Sequence, residues 1–98
     1  MALPLKKAAL RWDEIALERG RITPESSAQP FLYDISRYWR RAMSATNHKT
    51  TSSEPWTEKE CCVADMILSA LGYLHRNGCE HIEQLLKDTL ERHARQSD

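Results

Sequence analysis

Apolar side chains recur at every third or fourth position along four separate stretches of the chain. This spacing places them on one face of an α-helix, so each stretch predicts an amphipathic helix. No stretch alternates with the two-residue period of a β-strand. The predicted helices cover residues 5–19, about 30–45, 57 to 74 or 75, and 80 to about 93.

Residues that start and stop helices support these boundaries. Gly20 follows the first stretch and Asn77-Gly78 follows the third, at positions where glycine commonly ends a helix. Thr57 and Glu60 have the spacing of a capping box, in which each side chain accepts a hydrogen bond from the other residue's backbone N–H. We therefore expect the third helix to start at Thr57.

The same periodicity predicts which side chains are buried. On the third helix the expected apolar stripe consists of Cys61, Ala64, Ile67, Leu68, Leu71 and Leu74. On the fourth helix the expected buried residues are Ile82, Leu85, Leu86 and Leu90. Because few residues join these two helices, we expect them to form an antiparallel hairpin.

The predicted fold class is therefore all-α, a four-helix bundle that forms a single domain over residues 1–98. Residues 46–55 are predicted to be a flexible loop, because residues 46–53 include no apolar side chain. Residues 94–98 are predicted to fray at the C-terminus.

The chain length and the distribution of charge indicate which kinds of partner to expect. A helical domain of only 98 residues often gains stability by sharing apolar faces, so we expect a homodimer or a higher oligomer. The net charge is zero, with nine basic and five acidic residues in positions 1–49 against five and nine in positions 50–98. This balance argues against binding of nucleic acid, and the asymmetry suits two halves that pack on each other.

The three cysteines do not suggest a disulfide framework, because their number is odd and Cys61 and Cys62 are adjacent. Together with the lack of a signal peptide or an 18-residue apolar run, they predict a reduced, cytoplasmic protein that does not span a membrane. Cys79 lies between His75 and His81, but this spacing matches no common zinc site.

The segment Cys62-Val63-Ala64-Asp65, followed by apolar residues, Asn77-Gly78 and His81-Ile82-Glu83, matches a known order of motifs. It resembles the MazG-like family of all-α nucleoside triphosphate pyrophosphohydrolases. In that family a helix that carries Glu-x-x-Asp is followed by a glycine turn and a helix that begins Ile/Asp-Ile-Glu. In this chain Cys62 stands at the position of the family's glutamate.

The resemblance implies a Mg²⁺ ion that binds the substrate phosphates and activates water for cleavage between the α and β phosphates. Asp65 and Glu58 are the candidate catalytic residues. Asp65 and Asp34 are the candidate metal ligands, because Glu58 lies about 10 Å from Asp65 along the helix and cannot share one ion with it directly. A carboxylate from another subunit is a further source of ligands. The candidate contacts to phosphate are Arg37, Arg40 and Arg41.

Each candidate residue also has a structural interpretation without a ligand. Asp65 suits the rim of a helix, paired with an arginine of the second helix. Arg37, Arg40 and Arg41 suit a solvated face or ion pairs with the acidic half of the chain. Trp12 suits a core or an interface better than a stack on a nucleobase.

Two functions follow from these patterns, and the sequence leaves open whether the protein is an enzyme. The first is a MazG-like house-cleaning hydrolase that converts a nucleoside triphosphate to a monophosphate and pyrophosphate, with its activity kept or lost. The second is a non-catalytic oligomeric module that uses the same helical scaffold to bind a protein or a small ligand. The incomplete Glu-x-x-Asp pair, with Cys62 in place of glutamate, favours the second function, and a DNA-associated regulator is disfavoured by the neutral charge.

Overall fold

The structure, a computed structural model, describes residues 3–48 and 55–95. It contains four α-helices and, within those ranges, no β-strand. The all-α prediction is confirmed, with each helix end within two residues of its predicted position. No helix in the described part of the chain is long and apolar enough to cross a membrane. The helices are α1 (Leu5–Glu18), α2 (Gln29–Ser44), α3 (Glu58–Arg76) and α4 (Ile82–Arg95).

The signals at both ends of α3 act as their sequence predicts. The Glu60 backbone N–H donates to Thr57 Oγ1 at 3.0 Å, and the Thr57 N–H donates to Glu60 Oε1 at 2.9 Å, which completes the capping box. At the other end Gly78 has φ +90°, a left-handed conformation that favours glycine. This turn lets the Cys79 N–H donate to the Leu74 carbonyl at 2.9 Å, so orphan carbonyls of the last turn are satisfied.

The predicted loop and tail lie partly outside the described residues, because residues 49–54 and 96–98 are not among them. On the described side of the loop, the carbonyls of Thr46 and His48 each accept a backbone hydrogen bond at 3.2 Å, from the N–H groups of Lys59 and Glu58 respectively. At the C-terminus α4 continues through Arg95, beyond the point at which we expected it to fray.

The interior has two apolar clusters, and α3 packs against both α1 and α2. One cluster joins α1 to α3 and to the start of α4, and the other joins α1, the segment that follows it and α2, with Tyr73 of α3 packed against them. In the second cluster Gly72 of α3 allows close approach, because a Cβ there would lie 3.0 Å from both Phe31 Cε1 and Trp12 Cδ1. The buried members are Ala8, Ala9, Leu71 and Ile82 in the first cluster, and Ala16, Ile22 and Phe31 in the second.

A buried ion pair connects α1 to the end of α3. Arg76 donates from Nε to Asp13 Oδ1 at 2.7 Å and from Nη2 to Asp13 Oδ2 at 2.9 Å. Its remaining Nη1 donates to the carbonyls of Thr23, Pro24 and Ser26 at 3.4, 3.3 and 3.1 Å. The two side chains are only 11% and 7% exposed, so this charged pair belongs to the interior.

Helix α4 contributes little to that interior. Ile82 is 1% exposed, whereas the exposed fractions of Leu85, Leu86 and Leu90 are 41%, 39% and 72%. The prediction that all four are buried is therefore wrong for the single chain. Contacts between α3 and α4 are sparse, so the antiparallel hairpin remains a prediction.

The stripe predicted for α3 also differs from the observed burial. Leu71 is buried, but Ile67 is exposed, as are Cys61 and Ala64. The buried residues of α3 instead include Cys62 and Ser69, which the predicted stripe did not contain, because the helix turns this neighbouring face toward the protein.

We expect Asp13→Asn to lower the free energy of unfolding by about 3–5 kcal/mol, because it leaves the buried Arg76 charge without its counterion. Urea denaturation, read from the transition midpoint at constant slope, measures this loss.

The matched control is Glu18→Gln, which makes the same change in an exposed pair where Arg11 Nη1 lies 3.0 Å from Glu18 Oε2. Solvent screens this pair, so its loss is expected to cost less than about 1 kcal/mol. If both variants lost the same free energy of unfolding, the buried Asp13–Arg76 pair would stabilise the protein no more than an exposed pair does.

Candidate functional site

The candidate site lies on one face of α3. Glu58, Cys62 and Asp65 follow one another at i, i+4 and i+7, a spacing that places three side chains on the same side of a helix. Arg41 near the end of α2 is close enough to interact electrostatically with both Cys62 and Asp65. The fold thus brings one predicted arginine toward Asp65.

Asp65 is half-buried on this face. Loss of hydration raises the pKa of its carboxyl above the ordinary value, because burial disfavours the charged form. The positive charge of Arg41 acts in the opposite direction and offsets the increase only in part. Asp65 therefore carries a cost for being ionised, which is the reverse of a carboxylate held in a strong ion pair.

Cys62 lies between the two carboxylates and is buried. Burial raises the pKa of its thiol, and the negative charges of Asp65 and Glu58 raise it further. The thiolate is the form that attacks carbon or binds a metal. Cys62 is therefore protonated at neutral pH and suited to neither role.

Asp34 is held by two arginines. The carboxylate is buried, and its Oδ1 accepts a hydrogen bond from Arg37 Nη2 at 3.0 Å. Its Oδ2 forms a salt bridge with Arg21 Nη2, from the segment that follows α1. Both oxygens of this predicted metal ligand thus already bind cations of the protein.

The three predicted phosphate contacts do not form one cluster. Arg37 is engaged by Asp34, and its guanidinium lies 5.3 Å from the centre of the Tyr38 ring. Arg41 lies 5.8 Å from the same ring, a distance typical of a cation–π contact. Arg40 is exposed on α2. Only Arg41 is directed toward the Asp65 face.

These side chains do not fit a Mg²⁺ site in the single chain. Mg²⁺ needs several hard oxygen ligands, but the oxygens of Asp34 bind arginine, and Cys62 would offer a soft sulfur between Glu58 and Asp65. Within residues 3–48 and 55–95, no group of three or more His, Cys, Asp or Glu side chains is arranged to hold a metal ion.

Asp65 lines neither of two cavities in the described part of the chain. One, of about 340 Å³, is lined by Trp56, Glu60, Cys61 and Ala64, and its Glu60 carboxylate is already used in the capping box. The other, of about 380 Å³, lies between α1 and α3 and is mainly apolar. Neither brings several polar groups to one point, as a small-molecule site usually does.

The sequence analysis missed Arg21 and the pair of Asp13 with Arg76. A signal was present for each carboxylate, because Asp34 shares a helical face with Phe31 and Asp13 shares one with buried alanines. A carboxylate on an apolar face needs a cation or a hydrogen-bond donor. Which residue supplies that cation could not be predicted from spacing, since Arg76 is 63 residues from Asp13.

Fold and site together define an all-α chain of four helices in which one face of α3 carries Glu58, the buried Cys62 thiol and Asp65, with Arg41 of α2 near Asp65. Comparisons of the chain with protein-family models, with curated proteins and with solved structures find no match.

We expect Asp65→Asn to be more stable than the wild type at pH 7. The folded-state pKa of Asp65 is raised, so its contribution to stability is fully present below the unfolded value of about 3.8 and is lost as the pH rises through the folded value. Asparagine does not ionise, so the variant does not lose this stability as the pH rises. Its advantage should therefore shrink toward zero as the pH falls below 3.8.

Urea midpoints from pH 3.5 to pH 7 test this expectation, with the exposed Asp88→Asn as the control variant. The control should show no comparable gain that grows with pH. A less stable Asp65→Asn at pH 7 would mean that the ionised carboxylate makes a favourable pair instead.

Proposed function

We propose that this protein is a non-catalytic helical binding module, cytoplasmic and MazG-like in scaffold, that assembles from copies of itself. The observation that carries the proposal is the contrast between its two kinds of surface. The charged groups around Asp34 bind one another, whereas large apolar side chains along α3 and α4 are open to solvent.

Exposed apolar side chains support assembly. Several large ones among the described residues are open to solvent, including Leu90 at 72% exposed and Ile67 at 56%. A standard interface covers about 800 Å² per partner, which the available surface can supply.

The polar groups support a role without catalysis. Hydrolysis of a triphosphate needs hard ligands for a metal and cations free to meet the phosphates. Asp34 and Arg37 neutralise each other, and the pKa of Cys62 is raised by its burial. These groups are engaged within the protein and leave little for a substrate.

A second candidate is a nucleoside triphosphate pyrophosphohydrolase, as the resemblance implies. It is favoured by Glu58 and Asp65 on one face of α3, with Arg41 directed toward Asp65. This function would need carboxylates from a second copy to complete the ligand set.

Under the proposed function, purified protein releases no pyrophosphate above background from canonical or modified nucleoside triphosphates with Mg²⁺. The assay compares the wild type with Asp65→Ala, and circular dichroism confirms that both are helical. An active pyrophosphohydrolase assayed in parallel validates the detection.

If the wild type released pyrophosphate and Asp65→Ala did not, the second candidate function would replace the proposal. The self-assembly half of the proposal is tested separately by sedimentation of the wild type over a range of concentrations. A monomeric mass at every concentration would refute that half.

A further inference from the structure

The solvent side of α2 carries four large apolar side chains. They are Leu32 at 38% exposed, Tyr33 at 69%, Trp39 at 52% and Met43 at 67%. At 100° per residue they fall within an arc of about 120° around the helix. The buried side chains of α2 lie on the opposite side of the helix and are Phe31, Asp34, Tyr38 and Ala42. The exposed arc is therefore a second apolar surface of α2, separate from the side that packs in the core.

The same side of α2 is basic. By the helical spacing Arg40 lies inside the arc, and Arg37 borders it. Within Gln29–Ser44, all of which the structure describes, no exposed residue is acidic. The one carboxylate of the helix, Asp34, is buried and binds both Arg21 and Arg37, so this group of three keeps one positive charge. The arc is therefore suited to a negatively charged partner.

The apolar side chains of the arc protrude from a helix and do not line a groove. Neither of the two cavities has a residue of α2 in its lining. A protein partner would have to offer pockets that match the protruding side chains, whereas the headgroup region of a bilayer is soft and accepts them. Tryptophan and tyrosine are favoured at that depth, because their rings are apolar and carry one polar atom. Shape and composition thus favour a lipid surface over an acidic protein.

We propose that the solvent side of α2 binds a membrane surface that contains anionic lipids. The helix, about 24 Å long for its 16 residues, lies parallel to the bilayer. Its four exposed apolar side chains enter the headgroup region, and Arg40 binds lipid phosphates, for which a guanidinium has the matching geometry. The inference goes beyond the proposed self-assembly and uses no side chain of α3 or α4.

Co-sedimentation of the purified wild type with lipid vesicles tests this inference. One set of vesicles consists of phosphatidylcholine, and the other also contains phosphatidylserine. We expect binding to the phosphatidylserine vesicles that weakens as salt is added, because salt screens the attraction between the arginines and the lipids. Binding to phosphatidylcholine alone should be much weaker. Soluble polyglutamate, which offers negative charge without a lipid surface, should not bind.

Trp39→Ala tests the apolar part of the contact, because it removes the largest side chain of the arc. We expect about tenfold weaker binding to the phosphatidylserine vesicles, with helicity by circular dichroism unchanged. The matched control is Trp56→Ala, which removes a ring that is 56% exposed and lies beside Cys61 and Ala64 of α3. The control should bind the vesicles like the wild type.

Arg40→Ala tests the charged part of the contact. We expect about fivefold weaker binding to the phosphatidylserine vesicles, because one arginine near an anionic surface is lost. The matched control is Arg92→Ala, which removes the same charge from an exposed position on α4. The control should keep the affinity of the wild type and the same dependence on salt.

The outcomes separate this inference from the proposed function. If the wild type bound no vesicles, the inference would be refuted, whatever mass the protein has in solution. If it bound polyglutamate and not vesicles, the partner of α2 would be an acidic protein instead. Vesicle binding that Trp39→Ala and Arg40→Ala leave unchanged, or that the controls weaken equally, would assign the contact to another surface and overturn the inference.

Discussion

The ion pair between Asp13 and Arg76 is the interaction on which the arrangement of the helices depends. One guanidinium binds the carboxylate of α1 with two N–H groups, and with a third it binds the carbonyls of residues 23–26, just before α2. Arg76 is itself the last residue of α3. Because a buried charge must be neutralised, this single side chain fixes α1, the turn and α3 relative to one another.

The same constraint determines what the charged residues near α2 and α3 can do. Asp34 is buried and therefore bound by Arg21 and Arg37, so it is occupied as a structural residue. Asp65 is less buried and has a raised pKa, because Arg41 compensates its desolvation only in part. Of the charges that resemble a phosphate and metal site in the sequence, Asp34 and Arg37 bind each other, and Arg40 and Glu58 are exposed.

Helix α3 shows how neighbouring faces of one helix acquire different roles. Cys62 and Ser69 face the interior, whereas Val63 and Ile67 are open to solvent. Open apolar side chains of this kind are the basis of the proposed self-assembly.

The sequence by itself determined the four helices, their ends and the capping box at Thr57 and Glu60, because these depend on interactions within a few residues. It also singled out Asp65 as a carboxylate inside an apolar run. Only the tertiary structure decided that Asp34 is bound by Arg21, and which side of α3 faces the interior. Since α3 is apolar on several faces, periodicity alone could not select one, and the partner of a buried charge is set by contacts distant in the chain.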